Sequence, residues 1–241
     1  MEDQAVFSVL AQCFGPLERK EWEALTAPAL WDGFLTAARR LLQDERPLGA
    51  EVPSSASLAS RRPLQEFLSE KELTALFAPP AFEDMERFAA RHFTGGLPAS
   101  AMPVESLYRP WSLDGATALP QEHGCYGGQS ARYVADLCQR LGLEVPAAFA
   151  AYPDHLALEL DLVAVLLRSG MAAEARTFLM ERFAWLTDYR QRLIALGDAS
   201  FPIALVDVIL GIRTQQEEVA AALPQGAEAT RPQRPVTNVR Q

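Results

Sequence analysis

Apolar residues recur at helical spacing over about 3–13, 17–25, 28–43, 63–77 and 81–92, and again over 128–141, 153–169, 171–196 and 201–222. No segment alternates apolar and polar positions for long enough to read as a strand, and β-branched runs are scarce beside Leu and Ala. The pattern predicts an all-α fold, a single globular helical bundle filling residues 1–222. Punctuation falls where such helices should start and stop. Thr26-Ala27-Pro28 opens one helix, Gly142 follows the end of another, Gly170 ends the most apolar one and Phe201-Pro202 opens the last.

Two stretches carry no such period. Residues 44–62, DERPLGAEVPSSASLASRR, are rich in Pro, Ser and charge and are expected to form a long surface loop. Residues 223–241, LPQGAEATRPQRPVTNVRQ, offer little apolar surface to bury and are expected to be a disordered tail. A third stretch, residues 100–130, is interrupted by Pro and Gly yet carries Tyr108, Trp111 and Tyr126. Any one of these aromatics is explained by pinning a loop to the core, but together, between helical groups, they mark a natural place for a groove.

Composition narrows the partners. With 22 Lys and Arg against 31 Asp and Glu the formal charge is −9, which argues against nucleic acid or an anionic membrane surface and favours basic partners. Three cysteines, Cys13, Cys125 and Cys138, form no CxxC pair, so neither a disulfide framework nor a zinc ribbon is indicated. The N-terminus lacks a basic region before an apolar run, and LVAVLL is far short of the ~20 residues that span a bilayer. A reducing cytoplasm is the expected location, with no stable membrane insertion, and no cofactor or metal is expected.

The chemistry concentrates in YPDHLALELDLVAVLLRSG, residues 152–170. Pro153 suits a first helical turn, and Asp154 beside it would face the positive end of the helix dipole. Leu156, Leu160, Val163 and Leu167 form one stripe, and Leu158, Leu162, Val165 and Leu166 cover much of the rest, so the helix belongs in the middle of a bundle. Glu159 on such a helix needs a partner, because an unpaired buried carboxylate is costly. His155, four residues earlier on the same face, is the nearest choice by sequence. The functional alternative is a helix N-terminus that opens on a groove, with Asp154 offered to a guanidinium and His155 as a hydrogen-bonding ring.

Several separated segments resemble the TorD/DmsD-like redox-enzyme maturation chaperones. They are DMERFAARHFTGG, PVESLYRPW, GGQSARYVADLCQRLGLEV, PDHLALELDLVAVLL, WLTDYRQRL and FPIALVDVI, in that order across about 81–215. Val104 and Cys138 depart from the family pattern, each standing where Tyr is usual. The resemblance implies an all-α protein, folded as a single bundle of about ten helices, without catalysis of its own. Its partners would be the catalytic subunit of a molybdopterin-containing reductase and the twin-arginine leader peptide of that subunit. Pro153, Asp154 and His155 would form the core of the signal-peptide site, Glu159 would support it, and Tyr108 and Trp111 would line the adjacent groove. A monomer and a domain-swapped homodimer both fit.

Two other readings compete. An enzyme would use Asp154, His155 and Glu159 as acid, base or metal ligands, but no GxSxG, HExxH or phosphate-cradling loop accompanies them. His123, Cys125 and Cys138 lack a fourth ligand for a zinc site. A helical protein-protein adaptor unrelated to signal peptides would share the acidic surface and the tail.

Overall fold

A computed structural model of the chain describes residues 1–43, 46–50, 77–93, 99–110, 126–197 and 200–222. Among them run nine α-helices: α1 (Asp3–Cys13), α2 (Arg19–Leu25), α3 (Pro28–Gln43), α4 (Phe82–His92), α5 (Gly128–Arg140), α6 (Leu156–Arg168), α7 (Ala172–Arg182), α8 (Leu186–Ala195) and α9 (Ser200–Ala222). Short 3-10 turns occupy Glu105–Leu107, Ala147–Phe149 and Phe183–Trp185. The described residues contain no strand, only one antiparallel bridge between Val104 and His155. The fold is all-α, with one helix fewer among the described residues than the ten expected. The expected helix over 63–77, save its last residue, and the tail lie outside the described residues.

Most boundaries follow the periodicity to within two residues. The long pattern over 171–196 is two helices, because the Phe183–Trp185 turn redirects the chain between α7 and α8. Apolar period alone does not register such a turn, since Phe183 and Trp185 are themselves buried and continue the pattern. Helix α6 ends as the sequence implied: Gly170 takes the left-handed φ of +72°, and the Met171 amide returns to the Leu166 carbonyl at 2.9 Å.

Helix α6 is the axis of the bundle. Leu156, Leu160, Leu162, Val163, Ala164 and Leu166 are all buried, and α1 and α7 pack along its length. Phe7, Leu10 and Phe14 of the α1 segment join it in one continuous core with Leu179, Phe183, Leu186 and Tyr189. Tryptophans close the far side: Trp22 and Trp31 sit beside Phe201 and donate their indole N–H groups to the carbonyls of Pro80 and Phe77. Of the stretch expected as a surface loop, the described part, 46–50, turns inward. Leu48 is buried, its amide donates to Gln216 Oε1 at 2.7 Å and its carbonyl accepts from Arg176 at 3.1 Å. No helix of the described residues is long and apolar enough to cross a membrane.

Candidate functional site

The Pro-Asp-His segment stands just outside the helix that the sequence assigned to it. His155 is the N-cap of α6, with extended backbone (φ −73°, ψ 137°), and its Nδ1 accepts the Ala157 amide at 3.2 Å. Pro153 and Asp154 precede the cap, so Pro153 is not in the first turn and Asp154 does not act on the helix dipole from within it. The reason is long-range pairing. The Leu156 amide donates to the Pro103 carbonyl at 2.8 Å and the Glu105 amide to the Asp154 carbonyl at 3.0 Å, which holds residues 154–156 extended against 103–105. The Asp154 side chain completes this clasp, its Oδ2 accepting the Ser106 amide at 2.7 Å.

Behind the clasp lies a buried charge cluster. Glu105, Asp154 and Glu159 are fully enclosed, and Arg182 nearly so. Arg182 binds Glu105 Oε2, and Arg109 lies 3.0 Å from Glu105 Oε1. Glu159 has neither arginine as a direct partner: its Oε2 accepts the Trp185 indole N–H at 3.3 Å, and it shares a hydrogen bond with Glu105. Burial raises the proton affinity of both glutamates, and for Glu159 the adjacent Glu105 charge raises it further, while the two arginines offset part of the rise at Glu105. Of the two, Glu159 is the one whose surroundings favour the protonated form more strongly, and Glu105, beside the two arginines, the one whose surroundings favour the charge. Burial also raises Asp154, against the Ser106 hydrogen bonds that lower it. Sequence reasoning paired Glu159 with His155, but the capping geometry turns the imidazole to Ala157, and Glu105 and Trp185 are the partners found.

His155 faces the other way. Desolvation holds its pKa at about 4, so the ring is neutral, as an imidazole that accepts a backbone N–H must be. Phe149 packs on it at 4.9 Å and Phe93 meets it edge-on at 5.8 Å. These rings form one end of a groove of about 810 Å³. Phe14 and Leu17 supply one wall, Met102, Tyr126 and Tyr152 another, and the Glu86, Ala89, Ala90 and Phe93 side of the α4 segment a third. Tyr126 packs on Tyr152 at 5.0 Å and donates its hydroxyl to Met102 Sδ at 2.8 Å.

Of the residues singled out from the sequence, His155 and Tyr126 are the ones among the described residues that line this groove. Pro153, Asp154 and Glu159 stand behind it. Tyr108 stacks on Trp185 at 5.4 Å and meets Tyr189 at 5.7 Å, which joins it to the core, and it does not line the groove. Trp111, His123 and Cys125 lie outside the described residues. Sequence reasoning did not single out Phe14, Phe93, Phe149, Tyr152 and Glu86. The spacing 86, 89, 90, 93 was the available indication, a second helical face beside the core stripe of Met85, Phe88 and His92. No group of three His, Cys, Asp or Glu among the described residues is arranged to hold a metal ion.

No curated protein matches the chain. One family does: the profile of the nitrate reductase delta subunit matches residues 57–195, more than half of the sequence, and so reaches both the α4–α8 framework and every residue of the Pro-Asp-His clasp. The chain belongs to the nitrate reductase delta subunit family, whose members are chaperones of molybdoenzyme maturation.

Proposed function

We propose that this chaperone acts on the catalytic subunit of a molybdopterin-containing reductase in the cytoplasm, binding its twin-arginine leader and its body while cofactor is inserted and before export. One observation carries the leader reading: an aromatic, predominantly apolar groove of about 810 Å³ is lined by the His155 cap. A leader of this kind is a pair of guanidiniums followed by an apolar stretch, and such a stretch loses water-exposed surface by entering a groove of this lining.

In this reading His155, Phe149 and Phe93 contact the apolar stretch. Pro153 and Asp154 position the cap through the Pro103–Ser106 clasp, and Glu159 supports it from behind through Glu105. Tyr108, anchored on Trp185, fixes the strand of chain that continues toward Trp111, and both remain part of the proposed site on the strength of the family resemblance.

Calorimetric titration of the purified protein with a synthetic leader, beside a scrambled peptide of equal composition, tests the reading. The wild type is expected to bind the leader alone, and His155→Ala to weaken it about tenfold, one lost aromatic contact being worth ~1 kcal/mol or more. A wild type that binds neither peptide would remove the leader from the function and leave a helical adaptor for the reductase body.

A further inference from the structure

We propose that Glu86, on the groove face of α4, is the carboxylate that selects arginine in the leader, and that the buried Asp154 is not. The proposal rests on the leader reading above and sharpens it.

Two carboxylates compete for this role. Asp154 is fully enclosed, with Oδ2 bound to the Ser106 amide at 2.7 Å and its carbonyl bound to the Glu105 amide at 3.0 Å. Its second oxygen accepts no hydrogen bond from the described residues, yet it sits in a cluster that already contains the Arg182 guanidinium. An incoming arginine would have to displace the clasp that caps α6. Glu86 is solvent-exposed and is the one carboxylate among the described residues that line the groove. Its neighbours on α4 are engaged with each other or with α2: Glu83 takes the Arg19 guanidinium at 2.6 Å, and Asp84 takes Arg87. Arg19, which also feels the field of Glu86, is therefore held by Glu83.

The polarity of the groove matches that of the peptide. Charge is placed at Glu86, Ala89 and Ala90 follow on the same face and permit close approach of a backbone, and Phe93, two turns on from Glu86, meets the His155 ring. A guanidinium pair at Glu86 would leave the succeeding apolar residues along Phe93 and Phe149. Arginine suits the role better than lysine because its planar fork engages a carboxylate through two parallel N–H donors.

The test uses three leader peptides that differ only at the pair, Arg-Arg, Lys-Lys and Gln-Gln, against wild type, Glu86→Gln and Glu174→Gln, the last an exposed carboxylate in the first turn of α7 away from the groove. Wild type and Glu174→Gln are expected to prefer Arg-Arg over Gln-Gln by about tenfold or more, as one charge-assisted, bidentate contact provides. Glu86→Gln should bind all three peptides with the wild-type affinity for Gln-Gln. A Glu86→Gln protein that keeps the arginine preference overturns the proposal and leaves the leader reading intact, as does a wild type that binds all three equally. A wild type that binds none overturns both. Circular dichroism of each variant separates loss of binding from loss of fold.

Discussion

Glu105 and Glu159 are chemically identical side chains placed in different electrostatic surroundings by position. Glu105 meets Arg182 and Arg109, which favour its charged form, whereas Glu159 meets the Trp185 indole and Glu105, and burial and the Glu105 charge favour its protonated form. Their substitutions should therefore diverge. Glu105→Gln removes the counter-charge of a buried guanidinium and is expected to cost roughly 3–5 kcal/mol in urea unfolding. Glu159→Gln supplies a neutral side chain that donates and accepts as the acid does, and is expected to stay within about 1 kcal/mol of wild type. Titration separates the two ends of the clasp as well. His155 sits at about 4 against an ordinary 6.5, so as pH falls from 6.5 to 4 the unfolded chain takes up a proton that the native state refuses, and roughly 3 kcal/mol of stability is lost. Glu159 has the opposite sign. Its affinity in the native state exceeds the ordinary 4.5, so its contribution is complete below that pH and is lost as pH rises through the native value. Unfolding measured from pH 4 to 9 should show a flatter acid limb for His155→Asn and a flatter alkaline limb for Glu159→Gln.

At the scale of elements, loops decide how helices meet. The 46–50 segment joins α1, α7 and α9 through hydrogen bonds, and Gly49 is its tightest point. Its φ is +79°, its amide donates to Asp3 Oδ2 at 3.1 Å, and a Cβ there would stand 2.7 Å from the Ala172 Cβ. Neither the left-handed backbone nor the first turn of α7 yields at low cost. Gly49→Ala is expected to lower stability by about 2 kcal/mol, read as a shift of the unfolding midpoint, whereas alanine at Gly170, where a Cβ meets nothing within 4 Å, costs only the backbone strain of about 1 kcal/mol. The His155 cap belongs to this scale too. The residues that define the start of α6 are Pro103 and Glu105, on the other side of the β-bridge, so the helix begins where tertiary pairing ends.

For the whole molecule, the groove is assembled from α1 and the turn after it, α4, the 102 region, Tyr126 and the 148–155 segment, which meet only in the finished fold. A peptide bound there touches parts of the chain that unfold together, so binding and global stability are linked. A leader at a hundred times its dissociation constant is expected to add about 2.7 kcal/mol to the stability of the native state, seen as a higher melting temperature that a scrambled peptide does not produce. The acidic surface adds a second expectation: leader affinity should fall with added salt, since exposed charges are screened beyond ~10 Å at 0.1 M ionic strength.

Helical period and helix punctuation are properties of neighbouring residues, and the sequence alone therefore determined the all-α class, the bounds of α1 and α3, the glycine stop after Leu167-Arg168-Ser169 and the central place of the Leu156–Arg168 helix. It also determined that Glu159 required a partner, because a carboxyl on a helix apolar nearly all round has no water to turn to. Which partner was a tertiary matter. Glu105, Arg182 and Trp185 come from elements distant in the chain, and no local period encodes their meeting. The groove followed the same division: its α4 face was written at 86, 89, 90 and 93, but that face became one wall among several only when Phe14, Tyr152 and His155 were packed opposite it. Burial is decided by what arrives from elsewhere, and it sealed Asp154 behind the Ser106 amide while leaving Glu86 in solvent at the edge of the groove.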